Sequence, residues 1–137
     1  MSKLGRVASC ILLAALSGTA LAQFPTKPVR VVVSTTAGSQ PDSLARLFGQ
    51  KLSESWGQPV VVDNRPGAQG TLAATPVSKA APDGHTLLYA LPNFAIGAVL
   101  QSNLPYDPLK DFTGITQIGF TTNVLVVTPT LGVKTVN

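Results

Sequence analysis

Beyond residue 28 the chain alternates between short β-branched runs and longer stretches with helical spacing. Val29-Arg30-Val31-Val32-Val33 shows no polar alternation after Arg30, the pattern of a strand buried on both faces, which implies a parallel sheet. Leu44, Leu47, Phe48 and Leu52 then fall at i, i+3, i+4 and i+8. That spacing predicts a helix entered at Asp42 as N-cap, extended by Trp56 and closed by Gly57. Residues 59–63 read as a second strand and residues 64–67 as a turn of strong breakers. Residues 70–80 read as a weak second helix, in which Pro76 marks either a kink or a later start. After the Pro82-Asp83-Gly84 turn, residues 85–91 form a third strand. Strand, helix, strand, helix, strand with short breaks describes right-handed βαβαβ winding in an α/β fold.

The rest of the chain is less regular. Residues 95–100 have room for one or two helical turns, and residues 104–112 form an irregular surface-type segment. Residues 115–120 and 123–127 are two further apolar strand candidates, separated by Thr121-Thr122. Eleven prolines and twelve glycines in 137 residues favour tight connections over long helices.

The first 22 residues carry an address rather than a fold. Lys3 and Arg6 precede an apolar run from Val7 to Leu16, and Ala20-Leu21-Ala22 places small residues at positions −3 and −1 of a cleavage site. This is the pattern of a secretory signal peptide cut between Ala22 and Gln23, with an apolar run well short of the roughly 20 residues that span a bilayer. The single cysteine, Cys10, lies inside it near the start of the apolar run, whereas an acylated lipoprotein cysteine follows such a run. Cleavage leaves no thiol for a disulfide, a nucleophile or a metal site.

Without Lys3 and Arg6, eight of the ten basic residues remain against six acidic ones, a net charge of about +2 on 115 residues. The basic residues form no run, so nothing points to nucleic acid. Chemistry-bearing residues are also sparse. His85, the one histidine, opens a strand and reads as structural or solvent-facing. Asp42, Asp63, Asp83, Asp107 and Asp111 stand at turns and caps, where aspartate forms local hydrogen bonds. No nucleophile–base pair, carboxylate pair or metal-ligand spacing is visible, so neither catalytic residues nor a metal or cofactor is expected. Arg65 reads either as a partner for an anion or as a pin for its own turn through Asp63 or backbone carbonyls. Trp56 reads as core.

Two strand–turn–helix units bring backbone N–H groups to one end of the sheet. One is residues 31–42, the other residues 60–70. Neither has the lysine of a phosphate loop nor the G-x-G-x-x-G of a dinucleotide site. Taken alone, Ala37-Gly38-Ser39-Gln40-Pro41-Asp42 is either a carboxylate-binding helix N-terminus or an ordinary βα turn.

Four motifs in order settle the family likeness: PVVVDNRPGAQG from Pro59 to Gly70, KAAPDG from Lys79 to Gly84, LPYDPLKDF from Leu104 to Phe112, and NVLVV from Asn123 to Val127. Across the mature chain the sequence resembles the Bug-type periplasmic substrate-binding proteins of tripartite tricarboxylate transporters. The resemblance implies a type II periplasmic-binding-protein clamshell, monomeric, that delivers a small organic acid to the membrane components of a transporter. It also implies that residues 23–137 make up an incomplete N-terminal lobe. The chain would reach only the first interdomain crossing, without the second lobe or the segment that returns to complete the first. Such a piece is expected to bind carboxylates weakly, or to be a truncated, non-binding remnant.

Carried onto this sequence, the substrate-facing residues are Thr36, Ala37, Gly38, Ser39, Gln40 and Asp42, with Asp42 closing the loop, and Asn93 after the third strand. Gly38-Ser39 stands where the family usually has two glycines, and Pro41 where a small polar residue is common. On this reading residues 64–67 are the family's signature turn rather than its ligand contact.

Overall fold

The computed structural model describes residues 24–120 and 126–132. The expected signal peptide and cleavage site, and most of the 123–127 strand candidate, lie outside them. Three parallel strands, β1 (Val29–Val33), β2 (Val60–Asn64) and β3 (Thr86–Tyr89), form one sheet in the order β2-β1-β3. Helix α1 (Gln40–Trp56) connects β1 to β2, α2 (Thr71–Ser78) connects β2 to β3, and α3 (Pro92–Leu100) follows β3. The register pairs Val29 with Val60 and Val33 with Asn64 on one side of β1, and Arg30 with Thr86 on the other.

β1 is central, which is why it is the most apolar strand: Val29, Val32 and Val33 are fully buried. The chain leaves β1 in one direction to reach β2, then crosses back over β1 to reach β3. With right-handed connections, that reversal puts α1 and α2 on opposite faces of the sheet. The C-terminal ends of β1 and β3 therefore flank a topological switch point, where open α/β sheets form a crevice.

α1 meets the sheet through small residues. Ala45 and Gly49 are buried, and a Cβ on Gly49 would lie 3.3 Å from the Val60 side chain. The apolar stripe predicted for this helix is displaced from that contact: Leu44 and Leu52 are half-buried, while Leu47 and Phe48 are exposed. Close approach favours the smallest side chains at the centre and leaves larger ones on the flanks. The helix also starts earlier than expected. Ser39 is the N-cap, in extended conformation, and Asp42 lies within the first turn. The end is as predicted, with Gly57 left-handed at φ 66° and its N–H donating to Ser53 O at 3.0 Å.

α2 contains Pro76 within its span and is only eight residues long. α3 begins with Pro92 at its first position, where a missing N–H costs nothing. The segment after α3 is tied back by three mutually packed rings. Phe94 stacks on Tyr106 at 6.0 Å, and Phe112 meets both edge-on at 5.2 and 5.4 Å. Residues 115–120, expected as a strand, are not one. They run without strand pairing, with Ile115 and Phe120 exposed. An apolar run becomes a strand only where a neighbouring strand accepts its hydrogen bonds, and none flanks this run among the described residues.

Candidate functional site

The loops leaving β1, β2 and β3 converge at the C-terminal edge of the sheet. Asn93, at the start of α3, places its Nδ2 3.4 Å from the Ser34 hydroxyl just beyond β1. Gly70, after β2, lies under both: a Cβ there would be 3.1 Å from Asn93 Nδ2 and 3.7 Å from Ser34 Cβ. Its φ of +92° independently calls for glycine. The Asn93 Oδ1 atom is buried and has no hydrogen-bond partner among the described residues.

The β1–α1 loop is shaped by its own polar groups. Ser39 N donates to Thr36 O at 3.3 Å, and the Ser39 hydroxyl is within reach of Thr35 Oγ1 at 2.9 Å and Thr36 O at 2.8 Å. That hydroxyl does not cap the helix. Gly38 turns the chain at φ +82° and donates its N–H to Asp42 Oδ2 at 2.8 Å. Asp42 thus reaches back past the N-cap, one residue further than in a capping box.

Asp42 is 2% exposed yet fully partnered. Besides Gly38 it accepts from Arg46 Nε at 3.0 Å and from Asn64 Nδ2 at 2.9 Å. The Arg46 guanidinium foremost, then the Gly38 amide and Asn64, hold its carboxyl down to about 2 from the usual 3.8. The two opposite charges at this edge are therefore spent on each other. What remains at this edge is dipolar: the start of α1, where Gln40 lies exposed and Pro41 has no N–H, and the start of α3.

The β2–α2 turn is strained. Gly67, Ala68, Gln69 and Gly70 all have positive φ, at 115°, 46°, 52° and 92°. For Ala68 and Gln69 this costs about 1–3 kcal/mol each. Gln101 braces the turn, its Nε2 lying 3.4 Å from Ala68 O and 3.2 Å from Gln69 Oε1, while Thr71 Oγ1 donates to its Oε1 at 3.3 Å. Arg65 pins its own strand end, donating from Nε to Asp63 Oδ2 at 3.0 Å. Asp63 also pairs with Arg30, so it lies between two guanidiniums.

Of the residues singled out in the sequence, Thr36, Ala37, Gly38 and Gln40 lie on the exposed rim, Ser39 is half-buried, and Asp42 is inside. Asn93 reaches the same edge through Ser34. Sequence reasoning passes over Ser34, Asn64, Arg46 and Gly70. Ser34 carries one usable signal, as the first polar residue after the central strand. Among the described residues no group of three or more His, Cys, Asp or Glu could hold a metal. An open concavity of about 460 Å³ at the opposite pole, lined by Pro25, Thr26, Trp56, Gly57 and Gln58, has no charged group. Among the described residues no helix is long and apolar enough to cross a membrane.

The family model described as tripartite tricarboxylate transporter family receptor matches residues 44–137. The chain belongs to that family. Among curated relatives of this receptor family, a UPF0065 protein of Bordetella bronchiseptica is 47% identical over 96 residues, covering 69% of this chain and 29% of the relative. Protein BugT of Bordetella pertussis is 36% identical over 110 residues, covering 79% of this chain and 34% of BugT. The chain thus spans about a third of the length of these relatives. Solved structures resemble it as well. MatC from Rhodopseudomonas palustris, with malate bound, has a TM-score of 0.60 at 45% identity, over 66% of this chain and 31% of MatC. An R. palustris protein with adipate has a TM-score of 0.59 at 39% identity, over 63% of this chain and 29% of that one. The periplasmic binding protein BugD has a TM-score of 0.61 at 36% identity, over 65% of this chain and 30% of BugD. The parallel α/β sheet is accordingly part of a periplasmic-binding-protein fold of the Bug type, as the sequence motifs implied.

Proposed function

We propose that this chain supplies one wall of a carboxylate-binding site, made by Thr36, Ala37, Gly38, Ser39, Gln40 and Asn93 around the switch point, with Asp42 holding the loop closed. The observation that carries this reading is the convergence of two helix starts and the Ser34–Asn93 contact on one sheet edge. The charges beside it are already neutralised, because Asp42 is paired with Arg46. Such a surface favours a carboxylate through dipoles and hydroxyls, without a competing ion pair. Two relatives hold small dicarboxylates, malate in MatC and adipate in the R. palustris protein, and they support the choice of ligand. The proposed ligand class is therefore a small di- or tricarboxylate.

On this reading residues 23–137 are an incomplete N-terminal lobe and are exported to the periplasm after cleavage at Ala22. They work as a monomer, without catalysis, cofactor or nucleic acid, and present their acid to the membrane components of a tripartite transporter. One wall encloses a ligand less than a closed cleft does, so affinity from this part alone is about millimolar or weaker. Calorimetry of residues 23–137 against malate, adipate, citrate and an uncharged sugar tests the reading. Weak heats with the acids and none with the sugar are expected. Equal response to all four contradicts it.

A further inference from the structure

The last residue of β2, Asn64, has every polar group of its side chain engaged. Its Nδ2 donates to Asp42 Oδ1 at 2.9 Å and to Thr35 O at 3.1 Å, and its Oδ1 accepts from Arg46 Nη2 at 3.0 Å. A side-chain amide has two N–H donors, and here one reaches the β1–α1 loop at Thr35 and the other Asp42 in the first turn of α1. Nothing is left with which to donate to a bound carboxylate. Asp42 is equally committed: Oδ1 faces Asn64 and Arg46, and Oδ2 takes Gly38 N–H and Arg46 Nε.

The connections run from β2 to both ends of the loop. Thr35 is held by its carbonyl, and Gly38 is held through Asp42. Between them stand Thr36, whose carbonyl takes the Ser39 N–H and hydroxyl, and Ala37, which has no polar side chain. Asn64 bridges 29 residues to Thr35 and 22 to Asp42, so it couples both the loop and the first turn of α1 to the sheet.

We propose that Asn64 is the positioning residue of the ligand loop, clamping Thr35 and Asp42 so that the start of α1 faces the switch-point crevice in one fixed conformation. This rests on the carboxylate-binding reading above for its consequence, but not for its geometry. A loop ordered before binding avoids the entropy of ordering it on binding. The clamp therefore raises affinity without contact, and it gives the asparagine of the DNRPG motif a role beyond a turn.

The test uses amide hydrogen exchange and chemical shifts of the whole chain by NMR, in the wild type and in Asn64→Asp and Asn64→Ala. Asn64→Asp keeps the shape and the acceptor for Arg46 but replaces both donors with oxygen facing the Asp42 carboxylate. Gly38 N–H exchange is expected to rise about tenfold in both variants, the loss of roughly one hydrogen bond's worth of protection. The Gly38 proton resonance, held downfield by its carboxylate acceptor, is expected to move with it, while Val32 and Ala45 keep wild-type exchange. A merely structural asparagine would instead release Val32 and Ala45 together with Gly38, and that outcome overturns the proposal, as does unchanged Gly38 exchange in both variants. Titration with malate adds the second arm, with weaker shifts at Gln40 expected in the variants. If the wild type does not respond to malate, the carboxylate reading fails, while the exchange comparison still decides the role of Asn64.

Discussion

Asn93 Nδ2 lies 3.4 Å from the Ser34 hydroxyl, joining the loops that leave two adjacent parallel strands, β1 and β3. The bond is long, and the Asn93 oxygen beside it is buried without a partner among the described residues. A side chain so poorly satisfied contributes little to folding. Asn93→Ala is therefore expected to change stability by less than about 1 kcal/mol while weakening any response to malate. Urea denaturation and a malate titration of the same variant check the two halves separately.

Gly70 carries the opposite expectation. Its φ of +92° strains any side chain there, and a Cβ only 3.1 Å from Asn93 Nδ2 would push that amide aside by a few tenths of an ångström. Gly70→Ala is expected to destabilise the chain by about 1–3 kcal/mol, more than the same change at exposed Gly38, where a Cβ meets nothing. Denaturation midpoints of the two variants provide the comparison.

Acid sensitivity follows from Asp42. Its carboxyl is more acidic folded than unfolded, so the unfolded chain takes up the proton first as pH falls. Its contribution is complete above about pH 4 and is lost as pH drops toward 2. Asp83, held down to about 2 foremost by Lys27, titrates in the same window. Asp42→Asn should flatten the slope of stability against pH between about 4 and 2 without abolishing it. Midpoints measured across that range show whether it does.

The aromatic triad makes a mechanical prediction. Tyr106, 8% exposed, is the most buried of the three rings, and the 104–112 segment hangs on it. Tyr106→Ala is expected to cost about 3 kcal/mol and to free that segment. Lys110, whose side chain is 83% exposed, lies within it, so trypsin should cut there faster in the variant. Mass spectrometry of the early fragments reads this directly.

Much of the frame is legible in the sequence because it depends on local chemistry. Val29–Val33 is bounded by Pro28 and Ser34, and four valines in five positions, broken only by Arg30, announce a central strand. Gly57 ends α1 because only glycine readily takes the left-handed position. The start of α1 is ambiguous in sequence because Ser39 and Asp42 are both good cap residues, and Pro41 between them is tolerated in a first turn. The family likeness, carried by four spaced motifs, names the fold that periodicity alone leaves as generic βαβαβ.

What the sequence conceals is long-range. The bonds of Asn64 to Thr35, Asp42 and Arg46 cross 18 to 29 residues, and no periodic pattern encodes them. The buried face of α1 is hidden for a related reason. Helix–sheet contact at Gly49 is recorded by the absence of a side chain, whereas a hydrophobic stripe counts only large ones. Residues 115–120 fail as a strand because strand formation belongs to a pair.

A small carboxylate is expected to meet this chain at the C-terminal edge of β1 and β3, and an amide chemical-shift titration with malate reads that contact residue by residue. Gln40, Asp42 and the Asn93 side-chain amide should move first, while Gly57 and Gln58, at the opposite pole, stay unmoved. Shifts confined to Gly57 and Gln58, or none at Gln40 and Asn93 at saturating malate, would contradict it.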